Sequence, residues 1–286
     1  MESESSSIDY LVIGHVTRDL VDGAAVLGGT AAYAALTSQA LGLNTAMVTA
    51  TADDVDLQPL VGIVVHRPPS QESTTFENIE TENGRRQVIH AVADPLNLAS
   101  IPKDWLSARL VHLGPVAGEV DPAILDAFPH AFRGLTLQGW LRSWDLQGQV
   151  AFSPWHSAAR WLLKCDAAVL SVEDVLGDED LIQSFAQHVG VLAVTEGEAG
   201  ARIYWHGDVH HIAAPLVEVV DATGAGDIFA AAFFFRLQET RDAWVAGDFA
   251  VQLASRSVTR RGMQGIPTDD EIASSTIKVS KGPTLI

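Results

Sequence analysis

Asp221-Ala-Thr-Gly-Ala-Gly-Asp227, running directly into Ile228-Phe-Ala-Ala-Ala-Phe-Phe-Phe-Arg-Leu237, decides the fold of this chain. Two glycines flank a small alanine where a loop becomes a helix, and the helix is apolar on all sides, as a buried one must be. The first turn of such a helix has unpaired N–H groups and a partial positive charge, so it suits an anion. Glycine lets the backbone come close to that anion. Asp227 would repel the anion unless it has a proton to accept. A general base beside a held phosphoryl group satisfies both conditions. Alone, a short Gly/Asp cluster before a helix is also ordinary capping chemistry; the buried helix behind it is what favours a site.

Working outward, the chain alternates. Residues 8–14 read as a buried strand, Gly28-Gly29-Thr30 opens an alanine-rich helix to about Leu41, and Asn44–Thr49 is the next strand. Strands follow at Leu110–Gly114, Leu135–Gln138, Ala167–Ser171 and Val191–Thr195. Helices lie between them at Pro122–Phe128, Trp155–Leu163 and Asp178–His188. A hairpin, Ala201–Tyr204 with Val209–Ile212, precedes the decisive segment, and helices at Ile228–Gln238, Ala243–Thr259 and Asp269–Ser275 follow it. Residues 61–92 differ: Val61–His66, Thr74–Ile79 and Gln87–Val92 are β-type runs parted by Pro68-Pro69 and by the hairpin signal Asn83-Gly84. The reading is a doubly wound α/β core with a β-excursion serving as a lid, and ligands at the C-terminal ends of the strands.

Asp221–Asp227 and the helix after it resemble the C-terminal D-x-x-G-A-G-D motif of the ribokinase-like (PfkB) carbohydrate kinases. The order of elements is similar to that family over nearly the whole chain. The resemblance implies a ribokinase-like three-layer α/β/α core, residues 8–60 and 93–286, with a small β-sheet lid at 61–92. It implies ATP and Mg2+, and transfer of the γ-phosphate to a hydroxyl of a small polyhydroxylated substrate, a sugar or polyol. Asp227 then becomes the base, the amides of Gly224, Ala225 and Gly226 the anion hole, and Thr223 part of the nucleotide site. A nucleoside kinase of the same fold, or a non-catalytic nucleotide- or sugar-binding regulator, is the alternative. The family also leaves room for a homodimer through the lid.

The other motifs carry two readings each. By resemblance Asp19, Gly28 and Gly29 hold substrate hydroxyls, while a Gly-Gly pair alone could simply pack helix on sheet. Tyr33 stands where the family often has Asn, and could stack on a base or pack against a ring of hydroxyls. Thr195-Glu-Gly197-Glu-Ala-Gly200 is a plain turn, or by resemblance the T-x-G-x-x-G loop in which Thr195, Gly197 and Gly200 face ATP phosphates. Ser171-Val-Glu173-Asp174 lies where the family has N-x-x-E. Asp174 and Glu173 could support magnesium through water, and Ser171 could equally cap a helix. Gln138-Gly-Trp140-Leu-Arg142 is similar to the corresponding part of inositol kinases, a pointer to a cyclitol such as inositol. Arg142 is either a charge over an aromatic ring or a contact to substrate or phosphate. Ala250–Gly265 resembles the helix and loop beside the adenine, with Val251-Gln252 in place of an Asn.

Composition closes off other classes. The 286 residues carry 18 Lys and Arg against 36 Asp and Glu, a net charge of −18, which disfavours nucleic acid as partner. No apolar run has the length of a membrane span. One cysteine, Cys165, and an acidic, polar start (Met-Glu-Ser-Glu) without signal-peptide character point to the cytoplasm. No P-loop, H-E-x-x-H, C-x-x-C or G-x-S-x-G occurs.

Overall fold

The computed structural model describes residues 7–21, 23–81 and 84–279. The strands are β1 (Tyr10–Ile13), β2 (Thr17–Val21), β3 (Ala24–Gly28), β4 (Thr45–Val48), β5 (Val64–His66), β6 (Thr75–Thr81), β7 (Gly84–Ala91), β8 (Leu110–Leu113), β9 (Phe132–Thr136), β10 (Arg142–Trp144), β11 (Val150–Phe152), β12 (Ala167–Ser171), β13 (Val191–Thr195), β14 (Ala201–Trp205) and β15 (Asp208–Ile212). The helices are α1 (Thr30–Ala40), α2 (Ala158–Leu162), α3 (Glu179–Ala186), α4 (Ala225–Thr240), α5 (Ala243–Ser257) and α6 (Asp269–Val279).

Nine strands form one sheet in the order β15-β14-β13-β12-β9-β8-β1-β4-β5, all running in one direction except β14, which pairs antiparallel with both β13 and β15. Its central strands, such as β1, β4 and β8, are buried from end to end because both faces are covered, whereas the edge strands β5 and β15 are largely exposed. Alternate residues of β1 serve opposite cores: Tyr10 and Val12 pack beneath α1, α4 and α5, while Leu11 and Ile13 pack beneath α2 and α3. That is the three-layer arrangement. Phe229, Phe233 and Phe234 of α4 are almost fully buried, each contributing about 2–3 kcal/mol of apolar burial. A buried histidine sits within this core: His112 on β8, bonded to Tyr10 Oη at 2.8 Å and Thr136 Oγ1 at 3.2 Å. Burial pushes its imidazole down to about 3, so it is neutral.

A separate four-stranded sheet, β3-β2-β6-β7, lies beside this core. Here the strand pairing departs from the sequence reading in two ways. β5, expected within the excursion, joins the large sheet against β4, with Met47 opposite Val65. β2 and β3, expected within the core, form half of the small sheet, and β2 pairs with β6 so that Asp19 lies opposite Phe76. The cause is long-range pairing: Val64–His66 is followed by Pro68-Pro69, which ends its ladder and releases the chain toward the small sheet. The Asn83-Gly84 turn falls partly outside the described residues. The helices expected at Pro122–Phe128 and Trp155–Leu163 shorten to a 3-10 turn at Pro122–Ala127 and to α2, and a further hairpin, β10-β11, follows Gln138.

The two sheets are laced together at their junction. His15, wholly buried, bonds Thr74 Oγ1 (2.7 Å) and Asp94 O (3.0 Å). Glu119 accepts the amides of His15 (3.0 Å), Val116 (3.0 Å) and Ala117 (2.7 Å). Backbone donors that would otherwise be stranded where the strands part are thereby satisfied.

Candidate active site

The parallel strands end on one edge, and the loops leaving that edge bring distant residues together. Asp227 occupies the first turn of α4, whose N-cap is Gly224 in the left-handed conformation (φ 78°). A side chain at Gly224 would collide with Tyr33, whose Cγ lies 2.7 Å from the position a Cβ would take. Only glycine meets both demands there. Asp221 anchors the same loop: its carboxylate accepts from Thr223 N (2.9 Å) and Gly262 N (2.8 Å), joining the segment to the chain after α5. The Ala225 amide is spent in the turn, on Ala222 O at 3.2 Å. That narrows the expected anion hole to the amides of Gly224 and Gly226, which make no such bond among the described residues.

Around Asp227 stand Thr30 from α1, Asp19 from β2, Arg142 from β10 and Asp174 from the turn after β12. Burial raises its carboxyl from 3.8 to about 6, against the pull of the Thr30 hydroxyl and Arg142, and Asp174 and Asp19 add to the rise. A base of that strength is ionised at neutral pH yet accepts a proton readily. Asp19 takes a hydrogen bond from Thr17 Oγ1 (2.7 Å) and its carboxyl lies over Gly28, 2.8 Å from where a Cβ would be. Arg142 donates to Val116 O (3.2 Å), with its guanidinium carbon 5.8 Å from the ring centre of Phe76 in the small sheet. Thus the charge-over-aromatic reading and the position near the site hold together for Arg142.

Other expected residues are placed differently. Tyr33 is 3% exposed, wedged beneath Gly224, and burial with Asp227, Asp221 and Asp19 nearby raises its phenol well above the usual range. It supports the loop instead of offering a face for stacking. Asp174 has both oxygens engaged, one by Ser171 N (2.8 Å) and one by Gln138 Nε2 (3.1 Å), in a capping box with Ser171. Glu173 is exposed beside it. No group of three or more His, Cys, Asp or Glu able to hold a metal occurs among the described residues. Thr195 ends β13 next to Ser171. Gly197 and Gly200 frame the following turn, where Glu196 pairs with Arg202 at 2.6 Å. Gly200 also lies against the Ile212–Ala214 backbone, which gives it a packing role. Sequence reading missed Thr30 and Phe76 as site members; Thr30 directly follows the Gly-Gly pair, the one local sign of it.

No helix among the described residues is long and apolar enough to cross a membrane. A family model described as pfkB family carbohydrate kinase matches residues 165–270. The chain is 28% identical over 198 residues to a fructokinase of Escherichia coli, across 59% of this chain and 62% of that protein. It therefore spans somewhat less than two thirds of that relative. It is 28% identical over 300 residues to an inositol 3-kinase of Oryza sativa subsp. japonica, across 92% of this chain and 70% of the other. Among solved structures, a pyrophosphate-dependent kinase in the ribokinase family, complexed with a pyrophosphate analog and myo-inositol, superposes with a TM-score of 0.76. Its identity is 21%, over 93% of this chain and 99% of that one.

Proposed function

We propose that this chain is a carbohydrate kinase of the pfkB family, whose model matches residues 165–270, and that it phosphorylates a hydroxyl of a small polyhydroxylated molecule, a cyclitol being the acceptor most favoured. The observation that carries the reading is the meeting of Asp227, Asp19 and Arg142 at the glycine-opened start of α4. Asp227 takes the hydroxyl proton, and the freed oxygen attacks the terminal phosphorus of the donor in line, expelling ADP when the donor is ATP. The amides of Gly224 and Gly226 and the Arg142 guanidinium offset the negative charge on the transferring group. Asp19 and the backbone of Gly28–Gly29 hold the other hydroxyls, and the small sheet shields the site from water, which would otherwise compete as acceptor. A divalent ion on this reading arrives with the donor phosphates, since Asp174 is already committed to its cap. The likeness to the rice inositol 3-kinase supports the cyclitol. Thr195–Gly200 and Thr223 are proposed to border the donor.

The test is donor turnover against a panel of pentoses, hexoses, cyclitols and nucleosides, with ATP and pyrophosphate as alternative donors and Asp227→Asn in parallel. Stimulation by cyclitols, lost in the variant, supports the proposal. Stimulation by nucleosides alone would reassign the acceptor, and donor binding without turnover on any acceptor would favour a binding protein.

A further inference from the structure

Tyr10, His112 and Thr136 form a chain of side-chain hydrogen bonds that runs through the core to the ligand edge of the sheet. Tyr10 Oη lies 2.8 Å from His112 Nδ1, and His112 Nε2 lies 3.2 Å from Thr136 Oγ1. Tyr10 and His112 are wholly buried, and among the described residues none of the three side chains makes another hydrogen bond. Burial keeps the phenol protonated and the imidazole neutral, so the ring carries one proton, on one nitrogen or the other. If Nδ1 carried it, the ring would donate to Tyr10 Oη, and the phenol's own hydrogen would be stranded in an apolar core. With Tyr10 donating to Nδ1, both buried groups are satisfied. Nε2–H then donates to Thr136 Oγ1, and the one hydrogen left without a partner is that of the threonine hydroxyl.

The register shows where that hydrogen is. His112 lies opposite Gly134, so Thr136, two residues further along β9, faces the same side of the sheet. That side is covered by α4: a Cβ on Gly134 would stand 2.6 Å from Phe234 Cδ2. Thr136 is about 6.6 Å nearer the strand's C-terminal end, beneath the opening turns of the helix that begins with Gly226 and Asp227. Its neighbour at the end of β8 is Gly114, where a Cβ would be 3.4 Å from Thr136 Oγ1. With no side chain there the hydroxyl is not sealed in, and Thr136 is 6% exposed where Tyr10 and His112 are 0%.

We infer that Thr136 is a further binding residue of this site: its hydroxyl donates to an oxygen of the bound acceptor at the floor of the cleft, and Tyr10 and His112 are positioning residues that hold it as a donor. The inference rests on the polyhydroxylated acceptor proposed above. A free threonine hydroxyl can donate or accept, and so distinguishes little; one whose lone pair is already taken by Nε2–H selects for an oxygen acceptor at that point.

The experiment has two arms, both on the whole chain. With 15N-labelled histidine, two-bond 1H–15N spectra of the parent read the His112 tautomer, its signals being those missing from His112→Gln; the proton should be on Nε2. Calorimetry then titrates myo-inositol into the parent, into Thr136→Val, which keeps the shape without the hydroxyl, and into Thr136→Ser, which keeps the hydroxyl. Thr136→Val should bind about fivefold more weakly, and Thr136→Ser within about twofold of the parent; the serine variant also controls for any loss of folding. A proton on His112 Nδ1 overturns the inference without recourse to a variant, and so does equal affinity in Thr136→Val and the parent. If fructose, ribose or cytidine binds the parent and myo-inositol does not, the cyclitol reading fails, and that compound is carried through the same variants to decide on Thr136. If none of the four binds the parent, the proposed function and the inference fail together.

Discussion

Asp227→Asn is expected to abolish phosphoryl transfer while making the folded protein more stable at neutral pH. In the parent, burial lifts this carboxyl from 3.8 to about 6, with Asp174 and Asp19 adding to the rise and Thr30 and Arg142 opposing it. A group raised in the folded state binds its proton more tightly there. Its stabilising contribution is complete below about pH 4 and is lost as the pH climbs through about 6. A rise of roughly two units corresponds to about 3 kcal/mol. That is an upper figure, because Asp227 is only partly shielded from solvent. Asparagine keeps the shape and an acceptor for Thr30 but has nothing to ionise. Its advantage over the parent should therefore grow by about 1–1.5 kcal/mol between pH 5 and pH 8. Urea unfolding followed by the fluorescence of the seven tryptophans at about pH 5, 6.5 and 8 measures it. Parallel stability curves for parent and variant would refute the argument that the site holds a strained, ionised base.

Two further outcomes follow from the packing. Gly224→Ala should cost about 2–4 kcal/mol, part from its left-handed φ of 78° and part from collision with Tyr33. In a Tyr33→Leu background only the dihedral part, about 1 kcal/mol, should remain, as a urea double-mutant cycle can show. Glu119→Gln places an amide donor among the amide hydrogens of His15, Val116 and Ala117 at the junction of the two sheets. It should cost about 2–3 kcal/mol and raise hydrogen exchange in β6 and β7, whereas protection unchanged there would show that Glu119 does not fasten the small sheet.

What the sequence by itself determined is whatever is written in neighbouring residues. The all-round apolar run after Asp227 announced a buried helix, and α4 is that helix. The β-runs and glycine-opened helices announced a parallel sheet with its ligand edge at the strand ends, and β1, β4, β8, β9, β12 and β13 make that sheet. Asp19 and Gly28, which family resemblance assigns to the site, lie far from Asp227 in the chain and near it in space. Tertiary structure alone decided which sheet each β-run joined. A strand's periodicity states that one face is buried but not against whom, and the Asp19–Phe76 pairing spans two separate stretches of chain. It also decided what each polar group has left to give. Tyr33 was spent supporting Gly224, Asp174 on its cap and the Ala225 amide on its turn, while Thr30, one residue beyond the motif, came to face the base. A hydrogen bond is a statement about two atoms in space, and residue type and spacing specify only one of them.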